Sequence, residues 1–300
     1  MREEELLAQI QAIFARSHKP NLLVPNGDDG AVFTSSKQVI SSADVAVEGV
    51  HFKTEWSSLF EVGRKITAAN LADICAMGGW PEFLLVTVVL PGRHVGSVLE
   101  LAKGIAFEAD KVGAQVIGGD VSSGEQLSIS ITALGETSKP LLRSGARVGD
   151  SVYVSSLPGL SAAGLEILTN GKRVSSPFEE RAVAEHKAPT LDYLRYRYSY
   201  SKLSCAIDVS DGLVTDAAHI AEASGVQIDL NSEALKGSEL KQLDPERFLT
   251  WVLNGGEDHV LLGTSSEEIP GFIKVGKVIS GKGVTLDGKE LSSGGFAHSW

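Results

Sequence analysis

Ala206-Ile207-Asp208-Val209-Ser210-Asp211-Gly212-Leu213 is the stretch on which the reading of this chain turns. Ala206-Ile207 has strand character, and Leu213 to Ala223 has helical spacing with a stop at Gly225. Between the two, Asp208, Ser210 and Asp211 set a pair of carboxylates and a hydroxyl at a helix N-terminus. Such a group has two physical uses. Asp208 or Ser210 caps the helix, or the loop holds a metal ion or a phosphate, since unpaired backbone N–H groups and the helix dipole favour anions there. Spacing alone leaves both open.

Outward from this loop, strands and helices interleave. Toward the C-terminus the pattern predicts a strand from Val226 to Leu230, a helix from Pro245 to Leu253 and a strand from Val260 to Leu262, the last entered through Gly255-Gly256-Glu257-Asp258. Val284 to Leu291 reads as a hairpin, because Asp287-Gly288 suits a type I′ turn. Toward the N-terminus lie a strand from Ser151 to Val154, a helix from Ser161 to Leu168 and helical sequence as far as Tyr200. The first half opens on an amphipathic helix and continues through strands from Ala31 to Phe33, Val39 to Val47 and Phe83 to Leu90. Helices are expected over 59–77 and 95–112, and a strand from Gln115 to Ile117 that ends in Gly118-Gly119-Asp120. The class is α/β or α+β. The polar stretch from Gly135 to Gly149, with Pro140 inside it, predicts a domain boundary, giving domains of 1–138 and 139–300.

The bulk numbers exclude some functions. Net charge is −11 with no basic stripe, which argues against nucleic acid as a partner. The run from Phe83 to Leu90 is far too short to span a bilayer. The first residues read as an acidic amphipathic helix and not a signal peptide. Cys75 and Cys205 stand alone in their segments, which fits a reducing, cytoplasmic compartment.

Aspartates beside strand ends are the main chemical signal: Asp29, Asp44, Asp120, Asp208 and Asp211. Asp73 differs, because Leu59, Val62, Ile66, Ala69, Asp73 and Met77 fall at helical steps on one stripe. A carboxylate buried there without a partner costs several kcal/mol or goes neutral, so it needs a cation, a buried base or a helix N-terminus. Mg²⁺ and Ca²⁺ take such oxygen ligands. Gly276 to Gly283 imitates a P-loop, but Gly283 stands where a hydroxyl should hold Mg²⁺ and no helix follows, so it reads as a loop between strands. No Rossmann fingerprint, nucleophile elbow or Cys/His zinc cluster occurs.

Several segments together resemble the thiamine-monophosphate kinase family, of the aminoimidazole ribonucleotide synthetase-like superfamily. They are Gly27-Asp28-Asp29-Gly30-Ala31, Asp44 with Val47-Glu48-Gly49-Val50-His51-Phe52, Asn70-Leu71-Ala72-Asp73, Gly118-Gly119-Asp120 and Arg143-Ser144-Gly145-Ala146. Asp208-Val209-Ser210-Asp211-Gly212, Gly255-Gly256-Glu257-Asp258 and Gly295-Phe296-Ala297-His298 follow in the family's order. The resemblance implies a two-domain α/β fold with an N-terminal domain that dimerises through its sheet. It implies ATP-dependent phosphorylation of thiamine monophosphate, with several Mg²⁺ ions as cofactors. Asp29, Ser42, Asp44, Asp73, Asp120, Asp208 and Asp211 would hold metal, and Gly119, Asp120, Arg143 and Ser210 would contact ATP. Arg143, Asp208 and Asp211 would carry the catalytic load, and His51, Glu257 and Phe296 would hold the substrate. The chain departs from the family's usual spelling at Ala43, at His259-Val260 (where Tyr-Glu is usual) and at Ala297. Another ATP-using enzyme of the same superfamily and a non-catalytic phospholigand sensor are the alternative readings.

Overall fold

The computed structural model of the chain describes residues 3–16, 19–25 and 29–291. The chain divides into two compact units, one of Met1–Ile74 with Gly79–Lys139 and one of Cys75–Gly78 with Pro140–Trp300. Among the described residues, no helix is long and apolar enough to cross a membrane.

The first unit runs α1 (Glu3–Phe14), β1 (Leu22–Val24), β2 (Val32–Phe33), β3 (Gln38–Val47), α2 (Leu59–Ala76), β4 (Trp80–Leu90), α3 (Val98–Asp110), β5 (Gln115–Ser123) and β6 (Ser128–Thr137). Its main sheet has the order β3-β6-β4-β5. The strands β3 and β4 pair with β6 antiparallel, while β4 and β5 are parallel. That parallel pair needs a crossover, which α3 supplies. Alternation in β6 sets the two faces: Ile129, Ile131 and Ala133 are fully buried, and Ser128, Ser130 and Thr132 between them are not.

Two expectations change here. Gly118-Gly119-Asp120 does not end a strand; β5 continues through it to Ser123. The stripe on α2 begins buried at Leu59, Val62 and Ile66, but Ala69, Asp73 and Met77 are only half-buried. The stripe itself keeps its angle, since Leu59 and Met77 lie about five turns apart, so it is the covering of the helix that changes along its length. Leu71, Ile74 and Cys75 take the buried side instead.

The second unit holds β7 (Ser151–Val154), α4 (Leu160–Thr169), α5 (Pro177–Lys187), α6 (Tyr193–Ser199), β8 (Cys205–Val209), α7 (Leu213–Ser224) and β9 (Gln227–Leu230). It continues with α8 (Ser232–Leu235), α9 (Phe248–Asn254), β10 (Val260–Ser265), β11 (Ile273–Ile279), β12 (Gly283–Leu286) and β13 (Lys289–Glu290). The seven strands form one sheet in the order β13-β12-β9-β11-β7-β10-β8, with β8 at an edge. Val154, Ile207, Val209, Leu213, Ile220 and Ile228 share one apolar core. The P-loop look-alike is largely strand, since Gly276 to Ile279 belong to β11. The hairpin turn has φ +50° at Asp287 and +78° at Gly288, as a type I′ turn requires.

Candidate active site

The loop from β8 to α7 is held by a residue that lies beyond it. Asp216 Oδ2 accepts the backbone N–H groups of Ser210, Asp211 and Gly212, each at 3.1 Å. Two N–H donors of the loop and that of the N-cap residue thus converge on one carboxylate oxygen. The helix N-cap position is Gly212 and makes no side-chain cap bond, so neither Asp208 nor Ser210 is used as a cap. Gly212 has φ +120°, and a Cβ there would lie 2.9 Å from the backbone of Asn254. Only glycine fits that turn.

This loop is crowded with negative charge. Burial, and then the charge of Asp208, push the Asp216 carboxyl up to about 7 against the pull of the backbone donors. Ligand atoms of Asp211, Asp216 and His219 lie within 4.8 Å of one another. Carboxylate oxygens gathered this closely repel each other, and a hard divalent cation is their natural complement. The two carboxylates of this set, Asp211 and Asp216, with the charge of Asp208 nearby, fit a hard cation such as Mg²⁺ by chemistry.

A second segment is locked against the same loop. Glu257 and His259 both have left-handed backbone, φ +64° and +51°. The Glu257 N–H donates to Ser210 O at 2.8 Å, and the His259 N–H to Val209 O at 2.9 Å. Between them, buried Asp258 accepts the N–H groups of Gly159 (2.8 Å) and Ser161 (3.1 Å) at the start of α4. Burial pushes the Asp258 carboxyl up to about 7 even so. His186 Nδ1 lies 3.5 Å from Glu257 Oε2 and 3.1 Å from Ser161 Oγ. Nearby in the chain's fold, the turn Arg143–Gly145 packs on α7 and β8. Its Arg143 carbonyl accepts the Ser224 hydroxyl at 2.8 Å, and the Arg143 side chain is exposed.

In the first unit the expected residues fall into two groups. Ser42 donates to Asp73 Oδ2 at 2.5 Å. Ser42 pairs with Ala133 and Asp44 with Ile131, so both lie on the face covered by α2. Asp120 pairs with Thr87, and Thr87 with Ser130, which puts Asp120 on the opposite face. Asp44 and Asp120 are thus strand-interior residues and not strand-end ones. A cavity of about 730 Å³ brings Asp29, Gly119 and Asp120 together with Leu7, Ile10 and Phe14 of α1. Gly119 has φ +153°, and a Cβ there would sit 1.8 Å from the Val86 carbonyl oxygen. His51 Nδ1 accepts the Val47 N–H at 3.1 Å, which leaves the ring proton of the neutral imidazole on Nε2. Phe296, Gly27 and Asp28 lie outside the described residues.

The sequence pattern did not single out Asp216, His219, His186 or the contact of His259 with Asp208. Asp216 had a signal, an acid in the first turn of the helix after the loop. The contacts of His186 and His259 had none, because they join segments far apart in the chain.

This fold and its acid-rich loop define a class. The AIR synthase related protein, N-terminal domain, family matches residues 27–137. Over the whole chain the likeness narrows to one family. A thiamine-monophosphate kinase of Aquifex aeolicus is 37% identical over 284 residues, 91% of this chain and 92% of that protein. One of Bacillus subtilis is 38% identical over 84% of this chain and 80% of its own. The chain belongs to the thiamine-monophosphate kinase family. Among solved structures, AaThiL complexed with AMPPCP and TMP matches with a TM-score of 0.83 and 34% identity, covering 100% of this chain and 99% of its own. Escherichia coli HypE matches with a TM-score of 0.77, 99% of this chain and 97% of its own, but at 17% identity it shares the fold alone.

Proposed function

We propose that this chain transfers the γ-phosphoryl group of ATP to the phosphate of thiamine monophosphate, giving thiamine diphosphate and ADP. A phosphate oxygen of the acceptor forms the new P–O bond, and the bond from the γ-phosphorus to the β–γ bridging oxygen breaks. The electron pair leaves with ADP. A phosphate monoester has a second pKa near 6 and is largely dianionic at neutral pH, so the acceptor needs no general base. What it needs is relief from repulsion between two polyanions.

The observation that carries this reading is the gathering of three carboxylates, Asp208 of β8, Asp211 of the loop and Asp216 of α7, around a loop whose backbone N–H groups are already tied down. Mg²⁺ bound there would neutralise phosphate charge and polarise the transferring group. Asp29, Ser42, Asp44, Asp73 and Asp120 are assigned to further metal positions. Gly119, Asp120, Arg143 and Ser210 are assigned to ATP, with the Arg143 guanidinium as the charge that steadies the transferred group. His51 offers its Nε2–H, and Glu257, beside His186, offers a carboxylate to the cationic substrate; Phe296 is assigned an aromatic face for its flat rings.

Residues 1–138 are assigned metal and nucleotide binding with dimerisation, and 139–300 phosphate and substrate contacts. A homodimer through the N-terminal sheet is supported by Val39, Val45 and Leu85, which lie on the sheet face opposite α2 and are 50%, 52% and 37% exposed. Cytoplasmic residence is supported by two buried thiols with no disulfide between them. The test of the assignment is Asp208→Asn and Asp211→Asn: each should remove turnover in a protein that stays folded. Near-normal ATP-dependent turnover in both would remove the metal assignment.

A further inference from the structure

His259 sits where β10 begins, one residue before its pairing with β8, and its side chain turns onto Asp208. Its Nδ1 lies 3.0 Å from Asp208 Oδ2, and both residues are buried, 8% and 5% exposed. A carboxylate oxygen only accepts, so Nδ1 carries the proton and donates. The backbone around the imidazole is fixed from several directions. Its N–H bonds Val209 O at 2.9 Å, and its carbonyl accepts the Tyr196 hydroxyl at 3.2 Å. The preceding Asp258 is anchored to Gly159 and Ser161. A histidine with φ +51° is uncommon and costs free energy, and such residues persist where their surroundings over-determine them.

We propose that His259 is a positioning residue that holds the Asp208 carboxylate in the orientation from which it meets a divalent cation. The donated hydrogen bond occupies Oδ2 and stops rotation of the carboxylate, leaving Oδ1 as the oxygen for metal. Hydrogen bonds to ligating carboxylates set their direction in this way, and their loss weakens metal binding without touching the ligand itself. His259 also lies two residues from Glu257, whose N–H is bonded to Ser210. One rigid segment therefore carries the substrate carboxylate and the residue that aims the metal carboxylate. The role rests on the reading of Asp208 as a metal ligand.

The test uses the full chain without nucleotide or thiamine compound, with Mn²⁺ as probe and free Mn²⁺ followed by electron paramagnetic resonance. His259→Asn keeps a donor at the Nδ1 position and tolerates left-handed backbone, whereas His259→Gln moves the donor toward Nε2. His259→Gln should weaken Mn²⁺ binding by about 10- to 100-fold, with His259→Asn within about 3-fold of the unaltered chain. His259→Phe, which keeps the ring's volume, should weaken it as Gln does, and serves if the Gln variant does not fold. In turnover, the Mg²⁺ concentration for half-maximal rate should rise in the Gln and Phe variants, and saturating Mg²⁺ should restore kcat. In an Asp208→Asn background, His259→Gln should add no further loss. Equal weakening by Asn and Gln, or no weakening by Gln and Phe, overturns the proposal. If Asp208→Asn itself leaves Mn²⁺ binding unchanged, it is the assignment of Asp208 that fails, not the hydrogen bond.

Discussion

Ser42 and Asp73 are hydrogen-bonded at 2.5 Å although 31 residues separate them in the chain. The bond joins β3 to α2 and supplies one of the partners that a carboxylate on that helix needs. Ser42→Ala should leave Asp73 in place but less firmly directed, raising the Mg²⁺ concentration for half-maximal rate by about 10-fold. Asp73→Asn should cost far more, lowering kcat itself at saturating Mg²⁺. Steady-state kinetics across a Mg²⁺ series separates the two, and equal effects would contradict a minor part for the neutral hydroxyl beside a carboxylate ligand.

Glu257 and His186 make the corresponding pair in the second unit, 3.5 Å apart. Glu257→Ala should raise the KM for thiamine monophosphate by about 10- to 100-fold, the size of a lost hydrogen bond to a charged group, with the KM for ATP little changed. His186→Ala should shift the same constant in the same direction by less. A parallel rise in the KM for ATP would take Glu257 out of substrate binding.

Asp216 should matter to stability before it matters to chemistry. Replacing it with Ala leaves the N–H groups of Ser210, Asp211 and Gly212 without their acceptor. One buried and two half-buried donors left without their acceptor make Asp216→Ala destabilising by about 1–3 kcal/mol. Asp216→Asn keeps a carbonyl acceptor and should lose less. Urea unfolding of both variants measures this, and an Ala variant as stable as the unaltered chain would remove the tether.

Asp258 gives a pH signature. Burial raises its folded pKa to about 7, so the folded chain retains a proton that the unfolded chain has already released. This group's contribution is therefore most favourable below the ordinary carboxylate range and falls as pH rises toward about 7, by at most about 1.4 kcal/mol per pH unit. Thermal melts of metal-free protein between pH 5 and 8 should show this decline, to which Asp216 adds with the same sign, and Asp258→Asn should make it shallower. An Asn variant with an unchanged slope would assign the decline to another group.

Gly119 tests the cavity wall. A Cβ would meet the Val86 carbonyl oxygen, a backbone atom of the paired strand that cannot turn aside. Gly119→Ala should destabilise by about 3 kcal/mol, the scale of overpacking in a closed site, and weaken ATP binding. Calorimetry with an ATP analogue checks the second effect.

How much of this was legible in the sequence follows from distance along the chain. Asp208, Ser210 and Asp211 stood out because a strand, a loop and a helix succeed one another locally. Glycine pairs commonly mark turns, so Gly118-Gly119-Asp120 reads as a strand end, whereas here Gly119 lets β5 pass close to β4. The spacing puts Asp73 on the stripe of Val62 and Ile66, but which part of that stripe the fold covers is a tertiary matter, and Asp73 is half-buried beside Ser42. The contact of His259 with Asp208 spans 51 residues and depends on strand register, which no local pattern encodes.

The most direct measurement is ³¹P NMR of the purified chain with ATP, thiamine monophosphate and Mg²⁺. Thiamine diphosphate and ADP should grow in equal amounts, and neither should form when Mg²⁺ is withheld. Release of free phosphate with thiamine monophosphate left intact, or ligand binding with no turnover, would contradict the account.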